Sequence, residues 1–304
     1  MNHALVLFLA MLLDAWVGEP RWLWSRVAHP AVLMGRAIEA LERRLNHGPH
    51  RFRAGLVSLA ILVAAAALTG WLVPRLPLGA LWETLLVAIL LAQKSLVDHV
   101  GAVARALGLS PGDARMVVAR IVGRDTRDLD PPAIARAAIE SAAENLSDAV
   151  VAPVFWFLLA GLPGLLVYKV TNTADSMIGY RSERFEAFGK AAARLDDLLN
   201  WLPARLTALL IALVSWRPGM LAVIRRDAPL HRSPNAGWPE AAMAVALGVA
   251  LSGPRAYAGQ RQAFPWVNQA GRQDTGADDI LAATRVLWKV WLVLLGAVAL
   301  IAVA

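Results

Sequence analysis

The chain has no cysteine, and only 17% of its 304 residues are charged. The lack of thiols excludes a disulfide framework, a thiolate metal centre, an iron–sulfur cluster and a cysteine nucleophile. A soluble domain averages about 25% charged residues, so the deficit argues against an ordinary cytosolic globule. The patterns G-x-x-x-x-G-K-[ST], G-x-G-x-x-G and H-E-x-x-H are also absent, and any nucleotide site has to be assembled from loops. No repeat of fixed period, low-complexity linker or long basic run is present. The net charge of +7 is spread over several loops, which favours membrane topology and phosphate binding over nucleic acid.

Hydrophobicity is plentiful: 58% of residues are apolar and the mean hydropathy is +0.51. That excludes disorder and points to an all-α, polytopic integral membrane protein. Apolar stretches near the bilayer-spanning length of about 20 residues are Gly55–Val73, Gly79–Val97 and Val286–Ala304, with His3–Glu19 at the start. The opening segment lacks a basic n-region and is interrupted by Asp14, so it reads as a retained helix. Ala149–Val170 is broken by Gly161-Leu162-Pro163-Gly164, Pro203–Ile224 contains Trp216-Arg217-Pro218-Gly219, and Ala241–Ser252 is short. Such pieces suit re-entrant or buried helices. The expectation is about 4–7 membrane-embedded helices joined by long helical cytoplasmic loops, in one integral membrane domain over 1–304. Loop 20–54 carries seven Arg and loop 98–147 six, against one in the turn 74–78. The positive-inside rule therefore places both long loops in the cytoplasm and the N-terminus outside.

Asp130-Pro131-Pro132 is an N-cap followed by prolines at the first helical positions, opening a helix to about Val151. On it Arg136, Glu140, Glu144 and Asp148 recur every four residues and form one polar stripe. Like charges at this spacing repel, and a divalent cation or basic partner would compensate them; the plain alternative is a solvated face. Oxygen-only ligation by Glu144, Asp148 and Asp175 suits Mg²⁺ on nucleotide phosphates. Lys169, Asn172, Asp175 and Ser176 fall within two helical turns, followed by Arg181, and offer donors, an amide and a carboxylate to a phosphate–Mg²⁺ site. Positive-inside charge and a capped helix end would also account for Lys169 and Arg181. Only one of Asp196 and Asp197 need face a site, and Arg194 and Arg205 are possible ion-pair partners for them. His231, Ser233 and Asn235 lie in a turn-rich loop before Pro239, which suits a first helical position and an anion at the helix start; a structural histidine is the alternative. Arg124, in the turn Gly123-Arg124-Asp125-Thr126, is a further phosphate candidate. Asp14 in its apolar helix is either functional or one half of an interhelical salt bridge, its partner an Arg such as Arg21 or one from another loop.

These motifs resemble a known family, the adenosylcobinamide-phosphate synthases (the CobD/CbiB family). The resemblance covers nearly the whole chain. Its carriers are Gly18-Glu19-Pro20-Arg21 with His29-Pro30, Val122 to Thr126, Ala138 to Asp148, Tyr168 to Met177, Gly179-Tyr180-Arg181, Ala193 to Asp197, Pro203 to Thr207, and Ser233 to Glu240. Glu19 stands where the family usually has Asp, and Ser182 where Asn or Asp is common. The resemblance implies a multi-pass protein of the inner (cytoplasmic) membrane with its active site facing the cytoplasm. It implies an ATP- and Mg²⁺-dependent ligase joining (R)-1-amino-2-propanol O-phosphate to adenosylcobyric acid by an amide bond, in association with later cobalamin-assembly membrane enzymes. On chemical grounds Glu140, Glu144, Asp175 and Lys169 are the catalytic candidates. Arg124, Asn172, Ser176, Arg181, His231, Ser233 and Asn235 are the candidates for substrate and phosphate. The acidic stripe, the Asn172/Asp175 segment and the His231 loop are expected to converge at the cytoplasmic surface. A transporter or a non-catalytic membrane scaffold are the rival classes; broken helices would suit the first, but neither explains the ordered Asp, Glu, Asn and Lys motifs.

Overall fold

The computed structural model describes residues 2–123, 125–257, 260–262 and 264–304. It is a polytopic all-α membrane fold with 13 α-helices and four very short strands among the described residues. Five helical stretches are long and apolar enough to cross a bilayer: Arg51–Arg75, Gly79–Leu107, Pro131–Ile178, Lys190–Val214 and Ala277–Val303. The contacts gather into two compact units. The first comprises Met1–Ala92, Ala152–Asn200 and Leu295–Ala304; the second comprises Gln93–Val151 and Trp201–Leu294.

The first unit contains α1 (His3–Val17), α2 (Arg21–Trp24), α3 (Pro30–Leu45), α4 (Arg51–Leu72), α5 (Gly79–Leu90) and α9 (Ala152–Ile178). At about 1.5 Å per residue, the 22 residues of α4 match a bilayer core. Its inner face puts Leu59 and Leu62 against Ile38 of α3 and Val170, Ala174 and Ile178 of α9, with Phe188 and Ala192 closing the cluster. Its outer face shows Leu56, Val57, Ile61 and Leu68, side chains that need lipid to cover them. The expected interruption of α9 is present. Ala160 and Gly161 leave helical geometry, and Gly161 takes a φ of 61°, a left-handed conformation that glycine adopts at little cost.

Beyond that break α9 runs further than expected, through Val170 to Ile178. Thr171 and Thr173 return their hydroxyls to the carbonyls of Val167 (2.8 Å) and Lys169 (2.7 Å), the i−4 bonding that lets threonine sit inside a helix. The Asn172/Asp175 segment therefore lies inside the helix, in keeping with the helical spacing of its polar residues. The connection is reduced to residues 179–189, after which α10 (Lys190–Val214) begins.

In the second unit, α6 (Gln93–Leu107), α7 (Pro111–Val118) and α8 (Pro131–Leu146) pack together, and α8 also packs on α12 (Gly237–Leu247). Asp130 caps α8 as expected, its Oδ1 accepting from the Ala133 N–H at 2.8 Å. The helix does not continue regularly to Val151. Ser147–Val151 forms a π-turn, whose wider winding takes Asp148 off the i,i+4 row. The unit also holds α11 (Met220–Asp227), two antiparallel pairs made of β1 (Leu251–Ser252) with β4 (Trp266–Val267) and β2 (Arg255–Tyr257) with β3 (Gln260–Gln262), and most of α13 (Ala277–Val303). The expected helix Gly79–Val97 is two helices. Leu91 is extended (φ −76°, ψ 153°) and the chain restarts at Gln93, whose side chain is wholly buried. With no glycine or proline there, tertiary packing overrides helix propensity.

Candidate functional site

One end of the first unit gathers carboxylates and amides from α9 and α10. Asn172 and Asp175 lie one turn apart on α9; Asp196, Asp197 and Asn200 lie on the first turns of α10. Asp196 is buried and accepts from the Asn172 Nδ2 at 3.2 Å and the Asn200 Nδ2 at 3.1 Å. Asn200 in turn accepts the Tyr168 hydroxyl proton at 2.9 Å. This chain of bonds fixes both amides, because each must point its NH₂ at Asp196. Both hydrogen-bond partners of Asp196 are neutral.

Asp175, half-buried, has no hydrogen bond or ion pair from its carboxylate among the described residues. It lies within electrostatic reach of Asp196 and Asp197, and Arg181 within reach of Asp197. Three mutually repelling carboxylates, of which Asp175 is solvent-reachable and unpartnered, form a site suited to a cation or a proton. Gly179 makes this packing possible: a Cβ there would stand 2.0 Å from the Asp175 Oδ1. Ser176 and Arg181 are exposed at the edge of the cluster.

Lys169, half-buried one turn before Asn172 on α9, shares an electrostatic neighbourhood with His29 and Glu19. His29 caps α3, its Nδ1 accepting from the Ala31 N–H at 3.1 Å, so Nε2 carries the proton. Burial lowers the pKa of this histidine, partly opposed by the Glu19 carboxylate.

The remaining candidates belong to the second unit. Glu140 faces inward: it is 5% exposed and its Oε1 accepts from the Ser252 N–H at 2.6 Å, which anchors β1 on α8. Glu144 is exposed and Asp148 half-buried, so the expected stripe does not face one medium. Arg136 donates to the Gln273 carbonyl at 3.1 Å. His231 accepts the Ser233 N–H at Nδ1 (3.0 Å) and places Nε2 3.6 Å from Glu240. The Ser233 Oγ accepts from the N–H groups of Asn235 (3.2 Å) and Ala236 (3.3 Å). The helix behind this loop starts at Gly237, so Pro239 is its third residue and not its first. The donors ahead of it, expected to hold an anion, are turned to Ser233. Arg124 lies outside the described residues.

Sequence reasoning missed several polar groups. Asn200 follows Asp196 by four residues, a spacing that could have revealed it. Arg205 stacks on Trp201 (4.4 Å) and Trp238 (4.6 Å) and donates to the Asn235 Oδ1 at 3.3 Å, in place of an ion pair with Asp196 or Asp197. Glu83, buried on α5 with His3 at 3.7 Å, was detectable as the single acid of its apolar run. Among the described residues no group of three or more His, Cys, Asp or Glu is arranged to hold a metal ion. A pair of carboxylates does fit Mg²⁺, which commonly takes one or two protein carboxylates and completes its shell with water and phosphate.

The fold and this site define a multi-pass helical membrane protein with a carboxylate–amide cluster at the ends of two apolar helices. Residues 7–287 match the family model described as CobD/Cbib protein. Proteins named cobalamin biosynthesis protein CobD are similar along nearly the full length. That of Rhizobium meliloti (strain 1021) is 52% identical over 93% of this chain and 92% of its own. That of Brucella suis biovar 1 (strain 1330) is 49% identical over 97% and 95%, and that of Rhodobacter capsulatus 49% over 91% of each. No solved structure matches. The chain belongs to the CobD/CbiB family.

Proposed function

We propose that this protein acts in cobalamin biosynthesis as an ATP-dependent ligase, joining 1-amino-2-propanol O-phosphate to a propionate carboxyl of adenosylcobyric acid. Its relatives' names support the pathway. The observation that carries a reaction of this type is Asp175: a reachable, unpartnered carboxylate held beside Asp196 and Asp197.

A carboxylate resists attack by an amine, so it is first activated. Its oxygen attacks the γ-phosphorus of ATP and ADP leaves, giving an acyl phosphate. The amine nitrogen then attacks the acyl carbon, inorganic phosphate leaves, and the amide forms. The amine reaches the site as an ammonium and must lose a proton before it attacks; Asp175 is placed to accept it. Lys169 and Arg181 orient phosphate oxygens as cationic donors. Asn172 and Asn200 hold Asp196 so that Asp175 keeps its place. Asp197, with water and phosphate oxygens, would hold Mg²⁺, which supplies charge neutralisation on the transferring phosphoryl group. The site faces the cytoplasm in this reading, where ATP is available, and the positive-inside bias of the loops supports that side.

The test is amide formation by the purified protein in lipid nanodiscs, followed by mass spectrometry of the corrinoid product. ATP, Mg²⁺ and both substrates together should yield product, and omission of any one should abolish it. Product formation without ATP consumption, or none with all components present, would overturn the proposal. Glu144→Gln tests the remaining stripe: unchanged turnover removes Glu144 from the site.

A further inference from the structure

The two ends of α4 differ in how their positive charge is held. From Arg53 to Trp71 the helix rises about 27 Å at 1.5 Å per residue, close to the thickness of a bilayer core, which sets both residues near headgroup level. At the Trp71 end the cation is Arg75. It stacks on the indole at 3.8 Å and donates to the Trp71 carbonyl, so its charge is spent on an interfacial anchor.

The Arg53 end is crowded with basic groups: Arg43, Arg44, His47, His50, Arg51 and Arg53. Two of them are engaged, Arg43 with the Glu39 carboxylate at 2.5 Å and Arg51 with the Glu183 carbonyl at 3.3 Å. Glu42, the other acid of α3, is bonded by Arg184. Arg44, His47, His50 and Arg53 are exposed, and among the described residues their side chains have no hydrogen bond or ion pair.

The position of Arg53 matters as much as its freedom. Residues three and four apart share a helix face, and Arg53, Leu56, Val57, Ala60, Ile61 and Ala64 form one exposed row opposite the buried Gly55, Ser58, Leu59 and Leu62. Below Arg53 the row is apolar and runs about 16 Å to Ala64, roughly the depth of one leaflet. A phosphate on Arg53 therefore has space for an acyl chain directly beneath it, along side chains that need lipid to cover them. Membrane topology would be served by cations anywhere in the turn; it does not call for one at the head of the lipid-facing row. A soluble phosphate would use the guanidinium and leave the row idle.

We infer that the turn from Arg44 to Arg53 is a docking surface for anionic phospholipid, with headgroup phosphates on Arg53 and Arg44 and acyl chains along Leu56 to Ala64. The guanidinium fork suits phosphate because it donates two parallel hydrogen bonds. Nothing in this surface depends on the ligase reading.

The lack of native cysteine allows a site-specific test. Leu56→Cys, labelled with bimane in the otherwise native full chain, is placed in phosphatidylcholine nanodiscs doped with brominated phosphatidylglycerol or brominated phosphatidylcholine, and quenching is titrated. The phosphatidylglycerol should associate at least about 5-fold more strongly, the contribution of roughly one arginine at an anionic headgroup. Arg53→Gln should remove most of that preference and Arg44→Gln part of it, while Arg53→Lys keeps part. Arg225→Gln, which removes an exposed arginine of α11, should leave it intact. Arg53 is exposed and unbonded, so an unchanged melting temperature is expected for Arg53→Gln and separates lost binding from lost folding. Glycerol 3-phosphate at matched ionic strength should not alter the quenching; removal of the preference by it would make the occupant a soluble phosphate and overturn the lipid assignment. Equal quenching by the two bromolipids, an undiminished preference in both Arg53→Gln and Arg44→Gln, or an equal fall in Arg225→Gln would overturn it as well.

Discussion

The Asp175 cluster of the first unit and the His231 loop of the second handle their polar groups in opposite ways. In the second, the His231 loop closes on itself: His231 takes the Ser233 N–H, Ser233 takes two further N–H groups, and Arg205 is held by Asn235 and two tryptophans. In the first, Asp196 is bonded only by neutral amides, and Asp175 is left beside two other carboxylates without a partner. A network that satisfies its own members contributes rigidity. A network that leaves charge uncompensated sacrifices stability and is retained for what binds or reacts there. Residue type does not separate the two cases, since both mix a carboxylate, an asparagine and an arginine.

Asp175→Asn gives the largest effect that this contrast predicts. The substitution keeps the shape and removes the charge and the proton acceptor, so turnover in amide formation should fall by about 10²–10³-fold. The melting temperature should hold or rise, because a repelling carboxylate is gone. A large fall in both would place Asp175 with the self-satisfied groups and erase the contrast.

Gly179→Ala approaches the same point indirectly. The new methyl group would meet the Asp175 Oδ1 at 2.0 Å, and the carboxylate must rotate away. About 10-fold slower turnover is expected, in keeping with the cost of displacing a catalytic group by about 1 Å, with little change in the KM for ATP. Equal turnover would show that the position of Asp175 is immaterial.

His231→Ala should behave in the opposite manner. It leaves the Ser233 N–H without its acceptor and should destabilise the protein by about 1–2 kcal/mol while turnover per folded molecule stays near wild type. Thermal unfolding together with activity measured well below the transition separates the two quantities. A selective loss of turnover would return His231 to the phosphate-binding role expected from its neighbours in sequence.

The same distinction governs what was legible in the sequence. The Asp130 cap, the break at Gly161 and the loop at Trp216–Gly219 are written in residues with strong local preferences, and the structure has them all. Asn172 and Asp175 were visible as polar residues at helical spacing in an apolar context. The spacing of Glu140 and Glu144 gave their row but not what lay against it, and packing turned Glu140 toward β1. The extended Leu91 and the π-turn at Ser147 have no local signal, because they are imposed by the packing of distant segments. Asn46, which leaves an acceptor buried, sits in no recognisable motif; its orientation follows from Glu42 and Arg184, far apart in sequence.

The smallest expected effect lies within the first unit and contrasts its satisfied Glu42–Arg184 pair with its unsatisfied cluster. Arg184 hydrogen-bonds Glu42 and holds that carboxyl below the ordinary glutamate range. A depressed pKa in the folded state stabilises at every pH above the unfolded value and loses that contribution as pH falls through the folded one. Acidification below about pH 4.3, the ordinary glutamate value, should therefore lower the melting temperature by a few degrees more in wild type than in Glu42→Gln, which has no proton to take up at this position. Arg184 is solvent-exposed, and water screens the pair, which keeps the effect small. Parallel melting curves for the two proteins across that range would mean that the Glu42–Arg184 pair contributes nothing to the folded state. The pair would then be as poorly compensated as the Asp175 cluster, and the contrast between closed and open networks would not extend inside the first unit.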